Sequence, residues 1–261
     1  MITFDFKSGN IPILVSMPHN GVKIPKQIQA TMTDSALKLT DTDWFLDRLY
    51  QFTQELGCYV IEPHYSRYLI DLNRPQDNAN LYPGQDTTEL CPTTQFDLDP
   101  IYLEGQEPND TEIKNRVQNY WAPYHNRLQS TLKTIKSEYG IAVLFEAHSI
   151  KSYVARFFDG KLPDFNFGNL DGQTCSKQLT RKLEDWKPDG YSKVINGRFK
   201  GGYITRAYAS PERDIHAIQL ELSQATYMDE QSLSYSSTKA LKVQKSLQQM
   251  FDIFKQFVSH S

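Results

Sequence analysis

Nothing in the 261-residue sequence approaches the roughly 18 consecutive apolar residues of a membrane-spanning helix. The first residues, Met1-Ile2-Thr3-Phe4-Asp5-Phe6-Lys7, lack the basic start and apolar run of a secretory leader. Cysteine is scarce: Cys58, Cys91 and Cys175 are odd in number and far apart, which argues against a disulfide framework or a clustered cysteine zinc site. A reducing cytoplasm is the expected compartment. No internal repeat, low-complexity tract or like-charge tail is present. The 28 Lys and Arg against 31 Asp and Glu leave a net charge of −3, which argues against a protein built to coat nucleic acid. There is no Gly-x-Ser-x-Gly elbow, and His148-Ser149 are adjacent, a poor geometry for a nucleophile and its base. Gly201-Gly202 lacks the strand, helix and Lys-Ser/Thr context of a phosphate loop.

What is present is a chain of ordinary charge content that is 39% hydrophobic, enough to build a substantial core. Short apolar runs at 11–17, 58–61, 67–72, 141–147 and 216–222 read as strands. Between them lie helical patterns. Phe45, Leu49, Phe52 and Leu56 recur at helical spacing in 43–56, with Thr40 and Asp41 as candidate caps and Gly57 as the stop. A longer pattern runs from Thr111 to Tyr139, where Pro123 predicts a kink or break. Further amphipathic stretches cover 173–186 and 232–258. Strands alternating with helices predict an α/β fold with a mostly parallel or mixed central sheet flanked by helices. We expect a single domain over 1–261. The segment 73–109, rich in Pro, Asp, Thr and Gln, is expected to be a long loop lining or covering a site.

Ligands in open α/β sheets bind beyond the carboxyl ends of the strands. At those ends stand His19, His148 and Glu221, together with Arg67, Asn73 and Arg74. The two histidines are candidate metal ligands, needing a carboxylate as the third, or else strand-end residues that only bond a loop. Arg67, Asn73 and Arg74 offer the paired donors of a carboxylate clamp, or a loop stitched to Asp71 and Asp77. Glu221, within an apolar strand, suits base chemistry if buried, or pairs with Arg206 or Arg213 at an edge.

Several segments, taken in order, resemble the N-formylglutamate amidohydrolase family. They are Ser16–Gly21, Asp41–Tyr50, Ser66–Arg74, Glu146–Ile150, Phe165–Gly168 with Asp171-Gly172 and Cys175, Lys200–Arg206, and Gln219–Leu222 with Tyr227-Met228. The resemblance implies the fold of the zinc carboxypeptidases and aspartoacylases. It also implies a metal held by His19, an acid and His148, with Glu221 as general base. Arg67 would serve the oxyanion, Asn73 and Arg74 a substrate carboxylate, and Arg206 a second one. In those relatives the metal carboxylate lies three residues after the first histidine, where this chain has Val22. The acid is therefore placed at Asp43, with Asp41 and Asp47 as rivals. Glu146 stands where the family pattern would have Asp.

The implied cofactor is Zn²⁺, with Co²⁺ or Mn²⁺ also suited to such ligands. The implied reaction is hydrolysis of N-formyl-L-glutamate to formate and L-glutamate, a step of histidine degradation, with no nucleic-acid or membrane partner. A hydrolase of another N-acyl amino acid or of peptides, and a metal-free carboxylate-binding relative suggested by Val22, are the competing readings.

Overall fold

The structure is a computed structural model, and it describes residues 2–81 and 84–259. Among those residues, strands β1 (Phe4–Lys7), β2 (Ile13–Ser16), β3 (Tyr59–Pro63), β4 (Ala142–Ile150), β5 (Phe165–Gly168), β6 (Lys193–Ile195) and β7 (Ile215–Ser223) form one mixed sheet in the order β1-β3-β2-β4-β7-β5-β6. Pairings at its centre, β3-β2-β4-β7, are parallel, and β1-β3 and β7-β5 are antiparallel. The helices are α1 (Lys26–Gln29), α2 (Leu46–Leu49), α3 (Phe52–Glu55), α4 (Asp110–Arg116), α5 (Ala122–Tyr139), α6 (Lys177–Asp185), α7 (Tyr203–Tyr208) and α8 (Ser237–Val258). None of these is long and apolar enough to cross a membrane.

Every residue of β4 is buried, as a central parallel strand covered on both faces requires. Side chains alternate between faces, so each strand serves two cores. Val143, Phe145 and Ala147, with Ile218, Leu220 and Leu222, pack against Leu247, Phe251 and Phe254 of α8. Leu14, Leu144 and Ala217 face Leu128 and Leu132 of α5 on the other side. On that second face the next residues along the strands are Ser16, Glu146 and Gln219, followed by His148 and Glu221. The apolar stripe turns polar at the carboxyl ends, and there the site is built.

Three local expectations change. Arg67–Leu72 is not a strand. It is a fully buried turn in which Tyr68 N–H donates to Ser66 Oγ at 3.2 Å, Leu69 N–H to Ser66 O at 2.9 Å and Asp71 N–H to the more distant Leu90 O at 2.7 Å. A run buried on all sides lacks the alternation that separates a strand from a threaded loop. The 43–56 pattern forms two one-turn helices, α2 and α3, broken where the Thr53 hydroxyl takes the Tyr50 carbonyl at 2.8 Å. Thr40 and Asp41 cap neither of them, and Asp41 instead accepts from Tyr68 Oη at 2.7 Å and Phe96 N–H at 2.8 Å. Strands β1, β5 and β6 fall outside the runs read as strands. The 111–139 pattern does break near Pro123, through a wide π-helical turn over Val117–Trp121. Helices α6 and α8 start behind Ser176 and Ser236, whose hydroxyls accept from Leu179 N–H and Lys239 N–H.

Candidate active site

His19 emerges from β2 through Met17-Pro18, and its carbonyl accepts from Asp43 N–H at 3.1 Å, drawing two distant segments together. Close approach of the 64–66 segment requires Gly21: a Cβ there would lie 2.3 Å from the Tyr65 carbonyl oxygen. His148 lies on β4 beside Glu221 of β7 in parallel register. Asp43 Oδ2 sits 3.0 Å from His148 Nδ1 and 3.8 Å from His19 Nδ1. One ligand atom from each of His19, Asp43 and His148 falls within 4.8 Å of the others, and all three residues are buried. Of the rival acids, Asp41 is engaged by Tyr68 and Phe96, and Asp47 is exposed. Val22 is solvent-exposed, and Asp43 is the carboxylate that the fold groups with the two histidines.

The far nitrogen of each imidazole meets its own carboxylate. His19 Nε2 is 2.6 Å from Asp71 Oδ1, and His148 Nε2 is 2.6 Å from Glu146 Oε1. A proton held on Nε2 leaves the Nδ1 lone pair facing Asp43, which is how metal-binding histidines are oriented. Asp71 also accepts from Arg67 Nη2 at 2.6 Å and Asn73 N–H at 2.8 Å, while Glu146 accepts from Thr205 N–H at 3.0 Å and from its hydroxyl. Two nitrogens and one carboxylate, with both tautomers anchored, form a donor set that fits a divalent cation.

The electrostatics agree with that assignment. Burial and the nearby Arg67 lower the His19 pKa, keeping the ring neutral. Burial alone would raise Asp71, but His19, Arg67 and Arg74 hold its carboxyl well below the usual range. For His148, burial is outweighed by Glu146 and Asp43, which push it up to about 10. Burial pushes Glu221 up to about 8 against the pull of His148, near the value a proton shuttle at neutral pH needs.

These groups open on a cleft lined by His19, His148, Glu221 and the arginines Arg67, Arg74 and Arg198. Among the described residues, 64–109 holds no helix and no strand beyond isolated bridges, and its Asp86, Thr87, Thr88 and Phe96 form part of the wall.

A profile of the family described as N-formylglutamate amidohydrolase matches residues 11–228. The chain belongs to this family. It is 48% identical over 229 residues to an N-formylglutamate deformylase of Pseudomonas aeruginosa, covering 87% of this chain and 86% of the relative. A Pseudomonas putida protein of the same name is 43% identical over 248 residues, covering 94% and 92%. The crystal structure of an N-formylglutamate amidohydrolase from Ralstonia eutropha superposes with a TM-score of 0.82 at 21% identity, over 100% of this chain and 99% of that one, a likeness of fold.

Within this amidohydrolase fold, His19, Asp43, His148, Glu221, Arg67, Asn73 and Arg74 come together. Asn73 is locked by Ile204 N–H, which donates to its Oδ1 at 2.9 Å, and its Nδ2 lies 3.0 Å from His148 Nε2. Arg206 does not reach the cleft: its guanidinium donates to the Gly201 and Leu81 carbonyls. Sequence reasoning expected Glu146 to affect the surroundings of His148 without naming the hydrogen bond, read Asp71 only as a partner of the loop arginines, and missed Arg198 altogether. The first two carried a signal, an acid inside an apolar run, where an unpaired charge would be costly to bury. Arg198, in a loop, carried none.

Proposed function

We propose that this protein hydrolyses the formyl amide of N-formyl-L-glutamate, releasing formate and L-glutamate, with zinc as its resident cation. The observation that carries this reading is the buried His19–Asp43–His148 group beside Glu221 in one cleft, in a chain nearly half identical to a deformylase. When bound, the cation supplies Lewis acidity, polarising a carbonyl and acidifying water.

The chain's own residues do the rest. His19 and His148 present Nδ1 because Asp71 and Glu146 hold Nε2. Glu221 takes the proton of the attacking water and returns it to the departing amine nitrogen. Arg67, fixed on Asp71 and lying over the Phe96 ring at 4.9 Å, turns a guanidinium toward the oxyanion that develops at the formyl carbon. Arg74, with Nε and Nη2 on the Thr88 carbonyl and hydroxyl, holds the α-carboxylate together with Asn73.

The test is formate release from N-formyl-L-glutamate by metal-quantified protein, with a chelated sample alongside. We expect about one divalent ion per chain, turnover lost on chelation and restored by Zn²⁺. Glu221→Gln should keep its metal and lose about 100- to 10,000-fold in kcat. No turnover by metal-loaded protein rejects the substrate; full turnover after complete metal removal rejects the mechanism.

A further inference from the structure

N-formylglutamate carries two carboxylates, and an enzyme that selects it needs two separated cationic groups. The Asn73-Arg74 pair stands next to the metal-binding group, since Asn73 Nδ2 is 3.0 Å from His148 Nε2 and its backbone N–H is on Asp71. That is the place for the α-carboxylate, which is attached to the carbon bearing the reacting amide. The side-chain carboxylate lies two methylenes further out. It calls for a cation on another wall, set back from the reacting centre.

Arg198 lines the cleft from a different part of the chain. It belongs to the loop after β6, whereas Arg67 and Arg74 come from the segment after β3, yet all three line the same cleft. Its Nε donates to the Phe157 carbonyl and its Nη2 lies 3.4 Å from the Asp86 carbonyl. The Asp86 carboxylate, which also lines the cleft, is paired with Arg156 Nη2 at 3.0 Å. The Phe157 and Phe199 rings lie 5.8 and 5.5 Å from the Arg198 guanidinium and also line the cleft, an apolar flank for the methylenes.

We infer that Arg198 binds the side-chain carboxylate of the substrate and sets the preference for an acidic N-acyl amino acid. This inference rests on the amidohydrolase reading above. It gives Arg198 the role that the sequence alone had assigned to Arg206.

The experiment compares kcat/KM for N-formyl-L-glutamate and its neutral isostere N-formyl-L-glutamine, in the zinc-loaded wild type, Arg198→Gln and Arg198→Lys. We expect Arg198→Gln to lose on the order of 100-fold on formylglutamate, with a loss on formylglutamine at least about ten times smaller. Arg198→Lys should recover part of the discrimination. Turnover of formylglutamine by the variant also reports an intact fold and metal site. Equal losses on both substrates, or none on either, would overturn the assignment while leaving the hydrolase reading in place. A metal-loaded wild type that cleaves neither compound sinks both.

Discussion

Asp71 accepts from His19 on one oxygen and from Arg67 on the other, with no exposure to solvent. It therefore couples His19, of the group that could hold a metal, to the Arg67 guanidinium. An amide in its place cannot fix the His19 tautomer as firmly and leaves the Arg67 charge uncompensated. Asp71→Asn should weaken metal binding by about 10- to 100-fold in chelator competition. Removing one partner of a buried ion pair should also cost about 3 kcal/mol in denaturant unfolding of the metal-free protein. Unchanged metal affinity would mean that Asp71 serves the fold and not His19. His19, His148 and Glu221 were legible at this scale because strand ends are where chemistry is sought. The Arg67–Asp71 pair was readable as a loop stitch, but the Asp71 contact with His19 was not, because His19 lies 52 positions away along a chain whose path the sequence does not display.

Elements decide how those residues meet. Strands β4 and β7 place Glu146 and His148 beside Gln219 and Glu221 in register, on the face that α5 covers lower down. Their hydrophobic pattern announces the strands, but which two lie side by side is a matter of topology. The same holds for Gly202, at the start of α7: a Cβ there would fall 2.3 Å from Asn73 Nδ2. Its own N–H donates to Gln219 Oε1 at 2.7 Å. Gly202→Ala should push Asn73 off His148, lowering kcat/KM at least about tenfold through misplacement and costing about 1–3 kcal/mol of overpacking. Steady-state kinetics with urea unfolding checks both, and wild-type values of each would show that Asn73 has room to move. The expectation of one helix over 43–56 failed for a related reason. Asp43 must lie in the turn ahead of α2 to bond His19 and His148, and the local period carries no record of that demand.

The molecule as a whole contains an acid-sensitive lock beneath the site. His125 of α5 is 3% exposed, stacked 3.6 Å from Trp121, with Nε2 on the Leu72 carbonyl at 2.9 Å and Nδ1 at 2.7 Å from Tyr208 Oη. It ties α5, α7 and the 66–74 turn, while Trp121 Nε1 donates to the Arg74 carbonyl at 2.9 Å. Burial depresses the His125 pKa to about 3 from its ordinary 6.5. The unfolded chain thus binds a proton that the folded one refuses between those values. Its contribution is intact above pH 6.5 and is lost as pH falls toward 3, amounting to about 2 kcal/mol by pH 5. Urea unfolding at pH 7 and pH 5 should show the wild type losing about 2 kcal/mol more than His125→Gln over that interval. Parallel losses would show that His125 does not titrate in this range.

By itself the sequence determined the α/β class, the central strands, and the histidines, Glu221 and arginine-rich segment that the fold gathers at one end of the sheet. Periodicity and strand-end chemistry are local properties that a chain carries wherever it goes. Only the tertiary structure chose Asp43 over Asp41 and Asp47, turned Arg67–Leu72 from a strand into a buried turn, and set Arg198 in the cleft where Arg206 had been expected. Those choices depend on which distant segments share a wall. Burial and pairing of charge across the sheet decide that, and neither is written in the spacing of neighbours.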